Sequence, residues 1–338
     1  MGKYGRHFGI VAVLVIIGAV IMNFLLKDIL YKPAQASAQA VGVDRLFNLH
    51  LTLVAFFFSL IVVFMLYSVF VFRARDDDDS DGDFIHGHSA LEITWTVVPL
   101  VIVIWLGFMG MGVLNDMTAA QPDEMVVDVV GRQWSWAFEY PDTGIQSTEM
   151  VVPKDKPILL KMTSPDVIHS FYVPEFRIKQ DLVPGHVTEV RFTATATGVF
   201  PVRCAELCGT SHAYMLADIR VVEPSEYDAW VAEKLGGGGE DLAAKGAEIA
   251  QLQGCTGCHS LDGSRLVGPS WKGLFGHEVE LEDGSTVTAD EEYLRSSIVD
   301  PNAQIVATYP PSVMPATYGD TLSADDIEAL IAYIKSLE

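Results

Sequence analysis

The chain has 338 residues, 50% of them hydrophobic, and 44 acidic against 22 basic side chains give a formal net charge of −22. That balance excludes a nucleic-acid binder, because no basic stripe exists to neutralise phosphates. The length allows two ordinary domains plus an additional segment, and the apolar residues crowd into three blocks of the first third.

The first block, residues 8–26, follows the basic Lys3 and Arg6 and precedes an Ala-Gln-Ala-Ser-Ala-Gln-Ala run at 34–40. This suits a cleavable export signal, yet 19 apolar residues also suffice to cross a bilayer. Residues 1–40 are therefore a signal peptide or a first transmembrane helix, with the basic start inside. The second block, 51–72, contains Phe56, Phe57 and Phe58 and ends at Arg73 and Arg75; the third, 93–114, has Trp95 near its start. Uncharged stretches of this length predict a transmembrane helical hairpin over 41–118. Six Asp lie between Asp76 and Asp83, a charge density that demands a solvated loop. Arg73 and Arg75 put that loop on the inner side and everything after about residue 116 outside. Glu92, just ahead of Ile93, reads either as a cap at headgroup level or as a proton-handling group.

From 119 to 225 the texture changes to short β-rich runs, at 125–130, 158–162, 187–193 and 219–222, with Pro, Gly and Asp turns between them. An all-β Greek-key sandwich of about 100 residues is expected. Within it, Gly131-Arg132-Gln133-Trp134-Ser135-Trp136 reads as one strand, which would put Trp134 and Trp136 on a shared face. Residues 226–240 read as a short amphipathic helix and a Gly-rich linker at 236–239. The last domain, 241–338, carries 16 acidic and 5 basic residues. It is expected to be all-α, with helical runs at 241–253 and 324–337, the second started by Ser323-Ala324-Asp325-Asp326. Its acidity suits a solvated surface or a docking face for a basic donor.

The four cysteines form two close pairs, each with a His nearby, which argues against structural disulfides. Cys255-Thr256-Gly257-Cys258-His259 is the covalent haem c pattern: both thiols add to the vinyl groups and the His reaches the iron. Met314, in Ser312-Val313-Met314-Pro315, is placed to be the second axial ligand. A thioredoxin-like redox pair or half a zinc site is the alternative, which the adjacent His259 and the available Met314 disfavour.

The stretch Cys204-Ala-Glu206-Leu-Cys208-Gly-Thr-Ser-His212-Ala-Tyr-Met215, with His169 upstream, supports three metal readings. Two Cys and two His could hold structural zinc. One Cys, two His and a Met would make a mononuclear blue copper site, leaving a thiol surplus. A pair of copper ions bridged by both thiolates uses every residue.

These motifs, together with Asp166-Val-Ile-His169-Ser, Glu92-Ile-Thr-Trp95-Thr96, Gly131-Arg-Gln-Trp134-Ser-Trp136 and Lys179-Gln-Asp181-Leu-Val-Pro184-Gly185, resemble cytochrome c oxidase subunit II over about residues 42–225. The remainder resembles the form with a fused C-terminal cytochrome c domain. The resemblance implies a cupredoxin-like domain in which Cys204 and Cys208 bridge two copper ions (copper A). His169 and His212 would be terminal ligands, Met215 a weak one, and Glu206 would add its main-chain carbonyl. It also implies a magnesium ion shared with subunit I through the Glu206 carboxylate, Glu92 at the mouth of a proton pathway, and electron input at Trp134. Ser135 departs from the pattern, since many relatives have an aromatic residue there.

The expected function is that of an electron-input subunit on a bacterial inner membrane, with both cofactor domains on the periplasmic side. It would pass electrons from cytochrome c through haem c and copper A to subunit I, with subunit III also present. An electron-input subunit of a nitric oxide reductase and a free-standing membrane-anchored carrier are the alternatives.

Overall fold

A 34-residue apolar helix is about 51 Å long, more than the hydrocarbon core of a bilayer, and the second helix of the N-terminal unit has that length. The computed structural model describes residues 5–30, 32–73, 86–236 and 241–337. Helices α1 (Gly5–Ile29), α2 (Ala38–Val71) and α3 (Ser89–Thr118) are each long and apolar enough to cross a membrane, with mean hydropathies of 2.8, 2.7 and 2.5. Their large apolar side chains point outwards: Ile93, Trp95 and Phe108 on α3 are exposed. Only lipid or a protein partner makes such a surface stable.

α1 packs along α2. Val11 and Val15 are buried, and Gly18 allows the backbone to approach Ser59, whose Oγ would sit 3.3 Å from a Cβ there. Asn23 donates to Thr52 Oγ1 at 2.9 Å, and His7 Nδ1 meets the Tyr67 hydroxyl at 2.8 Å. Small-residue contacts and interhelical hydrogen bonds hold helices together where lipid removes the hydrophobic drive. The run Asp76–Asp83, Lys3, Arg75 and the linker residues Gly237, Gly238 and Gly239 lie outside the described residues.

The second unit, from residue 120 onward, begins with a two-sheet sandwich. Its strands are β1 (Met125–Arg132), β2 (Ser135–Tyr140), β3 (Ile145–Ser147), β4 (Met150–Pro153), β5 (Pro157–Thr163), β6 (His169–Val173), β7 (Ile178–Leu182), β8 (Thr188–Thr193), β9 (Gly198–Cys204) and β10 (Leu216–Val222). One sheet runs β3-β2-β1-β5-β8 and the other β4-β10-β9-β6-β7, with the parallel pairs β1/β5 and β4/β10 marking the Greek-key crossovers. Alternation places Val127, Val129, Phe138, Leu160, Met162, Phe171 and Phe192 in the core.

The six residues from Gly131 to Trp136 do not form one strand. Arg132 pairs with Ser135 across a two-residue turn, so Gln133 and Trp134 connect β1 to β2. Their polar groups bind outside the ladder, Gln133 N to Asp166 Oδ2 at 2.7 Å and Gln133 Nε2 to the Cys208 carbonyl at 2.6 Å. Trp134 is half-buried in the turn, whereas Trp136 is buried in β2.

Helix α4 (Pro224–Gly236) closes the sandwich by packing Trp230 on Tyr140, with ring centroids 5.1 Å apart. The C-terminal part contains α5 (Leu242–Leu252), α6 (Cys255–Cys258), the hairpin β11 (Glu278–Glu280) and β12 (Thr286–Thr288), α7 (Glu291–Val299), α8 (Tyr318–Thr321) and α9 (Ala324–Ser336). α9 starts with a complete Ser323/Asp326 capping box. α5 and α9 cross at Gly246, where a Cβ would lie 1.9 Å from the Ala329 carbonyl oxygen. No side chain fits there.

Candidate metal centres

The first centre is assembled by neighbouring strands. β6 opens with His169 and β9 ends with Cys204, and the register pairs Phe171 with Cys204. The segment 205–215 joins β9 to β10, anchored by Ala205 N to Ser170 O at 2.9 Å and Cys204 N to Met215 O at 3.3 Å. Trp134 Nε1 and Trp136 Nε1 donate to the carbonyls of Cys208 and Met215 at 3.2 and 3.4 Å. The loop is therefore clamped from the opposite sheet.

Cys204 Sγ and Cys208 Sγ lie 3.7 Å apart and are both free thiols. That separation is far beyond a disulfide. Around them, His169 Nδ1 is 3.9 Å from Cys204 Sγ, and His212 Nδ1 is 3.4 Å from Cys208 Sγ. Met215 Sδ is 3.8 Å from Cys208 Sγ, and the Glu206 carbonyl oxygen is 3.3 Å from Cys204 Sγ. The structure thus brings together all six residues expected there. Two soft thiolates flanked by imidazole and thioether are a copper-type donor set. The Glu206 carboxylate is exposed, as are Leu207 and Tyr214 beside it.

His169 turns Nε2 to Asp166 Oδ1 at 2.9 Å, which leaves Nδ1 facing the thiols. This is the outer partner that fixes ring orientation in metal sites. Burial opposes ionisation at Asp166, yet bonds from His169, Gln133 and Val167 hold it down to about 2. Burial likewise resists ionisation of Cys204, but His169 and the main-chain contacts outweigh it and lower the thiol to about 6. Burial and then the charge on Cys204 push Cys208 up to about 12. Two thiolates this close need a cation between them.

The second centre is a cavity of about 620 Å³ lined by Cys255, Cys258, His259, Met314, Trp271 and Leu330 among others. His259 Nδ1 donates to the Pro269 carbonyl at 2.7 Å and its ring stacks on Trp271 at 5.0 Å. Burial keeps the imidazole below its ordinary value, so Nε2 offers a lone pair. Gly268 is the cradle: a Cβ there would fall 2.8 Å from His259 Cε1. Attachment thiols, one imidazole and one thioether around an apolar cavity fit haem c. Arg132, Gln133, Trp134 and Asp166 of the sandwich line the same cavity.

Glu92 accepts a bond from His88 N at 2.9 Å, and His88 Nδ1 accepts from Leu91 N at 3.3 Å, so both cap the start of α3. Asp166, Gln133 and Arg132 were not singled out as site residues from the sequence. Asp166 carried a local signal, an acid three residues before a candidate ligand; the other two become meaningful only when distant segments meet.

A membrane-anchored redox subunit of an oxidoreductase is the class that the three apolar helices, the thiol pair and the haem cavity define. Residues 25–113 match the transmembrane domain and residues 144–222 the periplasmic domain of cytochrome c oxidase subunit II, and residues 243–338 match cytochrome c. Cytochrome c oxidase subunit 2 of Alkalihalophilus pseudofirmus is 34% identical, the match covering 86% of each chain. The subunit 2 of a Synechocystis strain is also 34% identical, over 59% of this chain and 74% of its own. The solved periplasmic domain of subunit II of cytochrome oxidase from Bradyrhizobium japonicum is 37% identical, covering 35% of this chain and 99% of that one, with a TM-score of 0.34. The chain belongs to the cytochrome c oxidase subunit 2 family and carries a cytochrome c domain at its C-terminus. It is accordingly a membrane protein with a periplasmic domain, and works within an oxidase complex.

Proposed function

We propose that the chain is the electron-input subunit of a respiratory terminal oxidase in a bacterial inner membrane. Cys204 and Cys208 would bridge two copper ions, with His169 and His212 as terminal ligands and Met215 and the Glu206 carbonyl as weak ones. Cys255 and Cys258 would hold haem c covalently, with His259 and Met314 on its iron. Bound in these places, haem c supplies reversible one-electron iron chemistry and the copper pair supplies an acceptor that shares the electron between two ions. Electrons would come from cytochrome c or another small donor and leave for subunit I, where oxygen is reduced; subunit III completes the core.

One observation carries this reading: both loops meet at Trp134. Its indole is bonded to Cys208 O at 3.2 Å, and a Cβ on Gly257 of the haem-attachment turn would be 3.2 Å from its main-chain nitrogen. A rigid, water-excluding contact is what pre-organised electron transfer requires. Exposure of Glu206, Leu207 and Tyr214 on the copper loop supports a contact with subunit I, where the Glu206 carboxylate would share a magnesium ion. Glu92, beside the start of α3, would stand at the mouth of a proton pathway.

Flash reduction of the haem domain in the purified complex tests the relay. The copper absorption should bleach as the haem reoxidises, followed by oxygen consumption. Copper that stays oxidised while the haem is reduced would sink the proposal, and turnover of nitric oxide in place of oxygen would reassign the partner.

A further inference from the structure

The haem-attachment turn rests on the β1–β2 hairpin with almost no space between the two backbones. A Cβ on Gly254 would lie 2.9 Å from Ser135 Oγ, and one on Gly257 would lie 3.2 Å from Trp134 N and 3.7 Å from Trp134 Cε3. Two polar bonds flank this contact, Arg132 Nη1 to Gln253 Oε1 and Thr148 Oγ1 to Gln251 Oε1 at 3.3 Å. Ser135 Oγ is buried at the centre and finds no hydrogen-bond partner. A serine that leaves its buried hydroxyl unsatisfied, which is unfavourable, is not there for a hydrogen bond. Its size is what the contact uses.

We propose that Ser135, facing Gly254 beside the contact of Gly257 with Trp134, reserves the hairpin around Trp134 as a docking surface for the chain's own haem domain and keeps soluble donor proteins off it. The inference rests on the haem-to-copper reading above and adds which partner Trp134 accepts. A larger side chain at 135 would have to occupy the place of the Gly254 backbone, which cannot yield as a flexible side chain would. Gly257 covers the edge of Trp134 from the other side. A soluble donor meets only the outer faces of the haem domain, whose excess of acids, 16 against 5 bases over residues 241–338, favours a basic partner.

The test uses the full complex carrying Ser135→Phe and, separately, Gly257→Phe, which attacks the same contact from the haem side. Copper resonance and haem absorption first establish that each variant is folded and loaded. Hydrogen exchange over residues 132–136 and 253–258 should then accelerate about tenfold or more. Haem-to-copper transfer should slow about tenfold or more, and a soluble reduced cytochrome should begin to reduce copper ahead of the haem. Folded, loaded variants with wild-type exchange and transfer overturn the proposal, as does a wild-type complex whose copper is reduced by the soluble donor before its haem. If the wild-type haem never reduces copper, the relay fails instead, and the exchange data alone decide the docking surface.

Discussion

Trp134 and Cys208 are joined by a hydrogen bond of 3.2 Å from the indole nitrogen to the main-chain oxygen of the cysteine. Gln133 Nε2 donates to the same oxygen at 2.6 Å. The loop therefore keeps one donor if the other is removed. Trp134→Phe should retain the copper resonance yet slow haem-to-copper transfer about tenfold, measured by flash reduction; unchanged kinetics would remove Trp134 from the path.

The thiol pair makes a spectroscopic prediction. An electron shared by two copper nuclei gives a multi-line hyperfine pattern, which zinc cannot give and a single copper would simplify. Replacing both Cys204 and Cys208 by Ser should abolish the signal, since hydroxyls do not bridge copper as thiolates do. Electron paramagnetic resonance of the loaded complex reads this directly.

Asp166 ties the start of β6 to the β1–β2 turn. It accepts from Gln133 N at 2.7 Å and Val167 N at 2.6 Å, and it orients His169 at 2.9 Å. Asp166→Asn keeps the shape and loses the charge. A stability loss of about 0.5–1.5 kcal/mol is expected from the weakened charge-assisted bonds of this solvent-accessible carboxylate, with copper affinity reduced about 10–100-fold. Denaturant midpoints and copper titration measure the two effects separately.

Tyr140 is buried, and its hydroxyl donates to Val151 O at 2.9 Å while accepting from Val151 N at 2.7 Å. Tyr140→Phe leaves both main-chain groups unpaired and should cost about 1–3 kcal/mol. Burial, the largest influence, raises the phenol well above its ordinary value. The unfolded chain thus loses this proton first, and wild-type stability should fall as the pH rises past about 10. The Phe variant should lack that part of the alkaline loss, read from unfolding curves at several pH values.

Met314 shares the haem cavity with His259. A thioether ligand raises the potential of haem iron. Met314→Ala should therefore lower the midpoint in a redox titration while the haem stays covalently attached through Cys255 and Cys258. An unchanged midpoint would mean that another group holds the iron.

Much of this was readable locally. Uninterrupted apolar runs announce membrane helices because their periodicity is irrelevant when every face meets lipid, and α1, α2 and α3 fall on the three blocks, although α2 starts at Ala38, well ahead of the apolar run at 51–72. The haem motif is legible because thiols and imidazole sit within one turn, and the α9 start is legible because its capping box spans four residues. The 131–136 stretch misled: alternation of large side chains suggests a strand, but side chains and main chain at Gln133 and Trp134 find partners on other loops and turn the chain there.

By itself the sequence determined the kinds of chemistry: three apolar spans, a β-rich middle, a haem c attachment site and a thiol-rich metal loop. Each depends on residues close together in the chain. Only the tertiary structure decided that His169 stands over Cys204, since that needs the pairing of β6 with β9 across 35 residues. It also decided that Gly254 and Gly257 lie against Ser135 and Trp134. Such contacts follow from the packing of whole surfaces, where the absence of a side chain matters as much as its presence, and no local pattern records an absence.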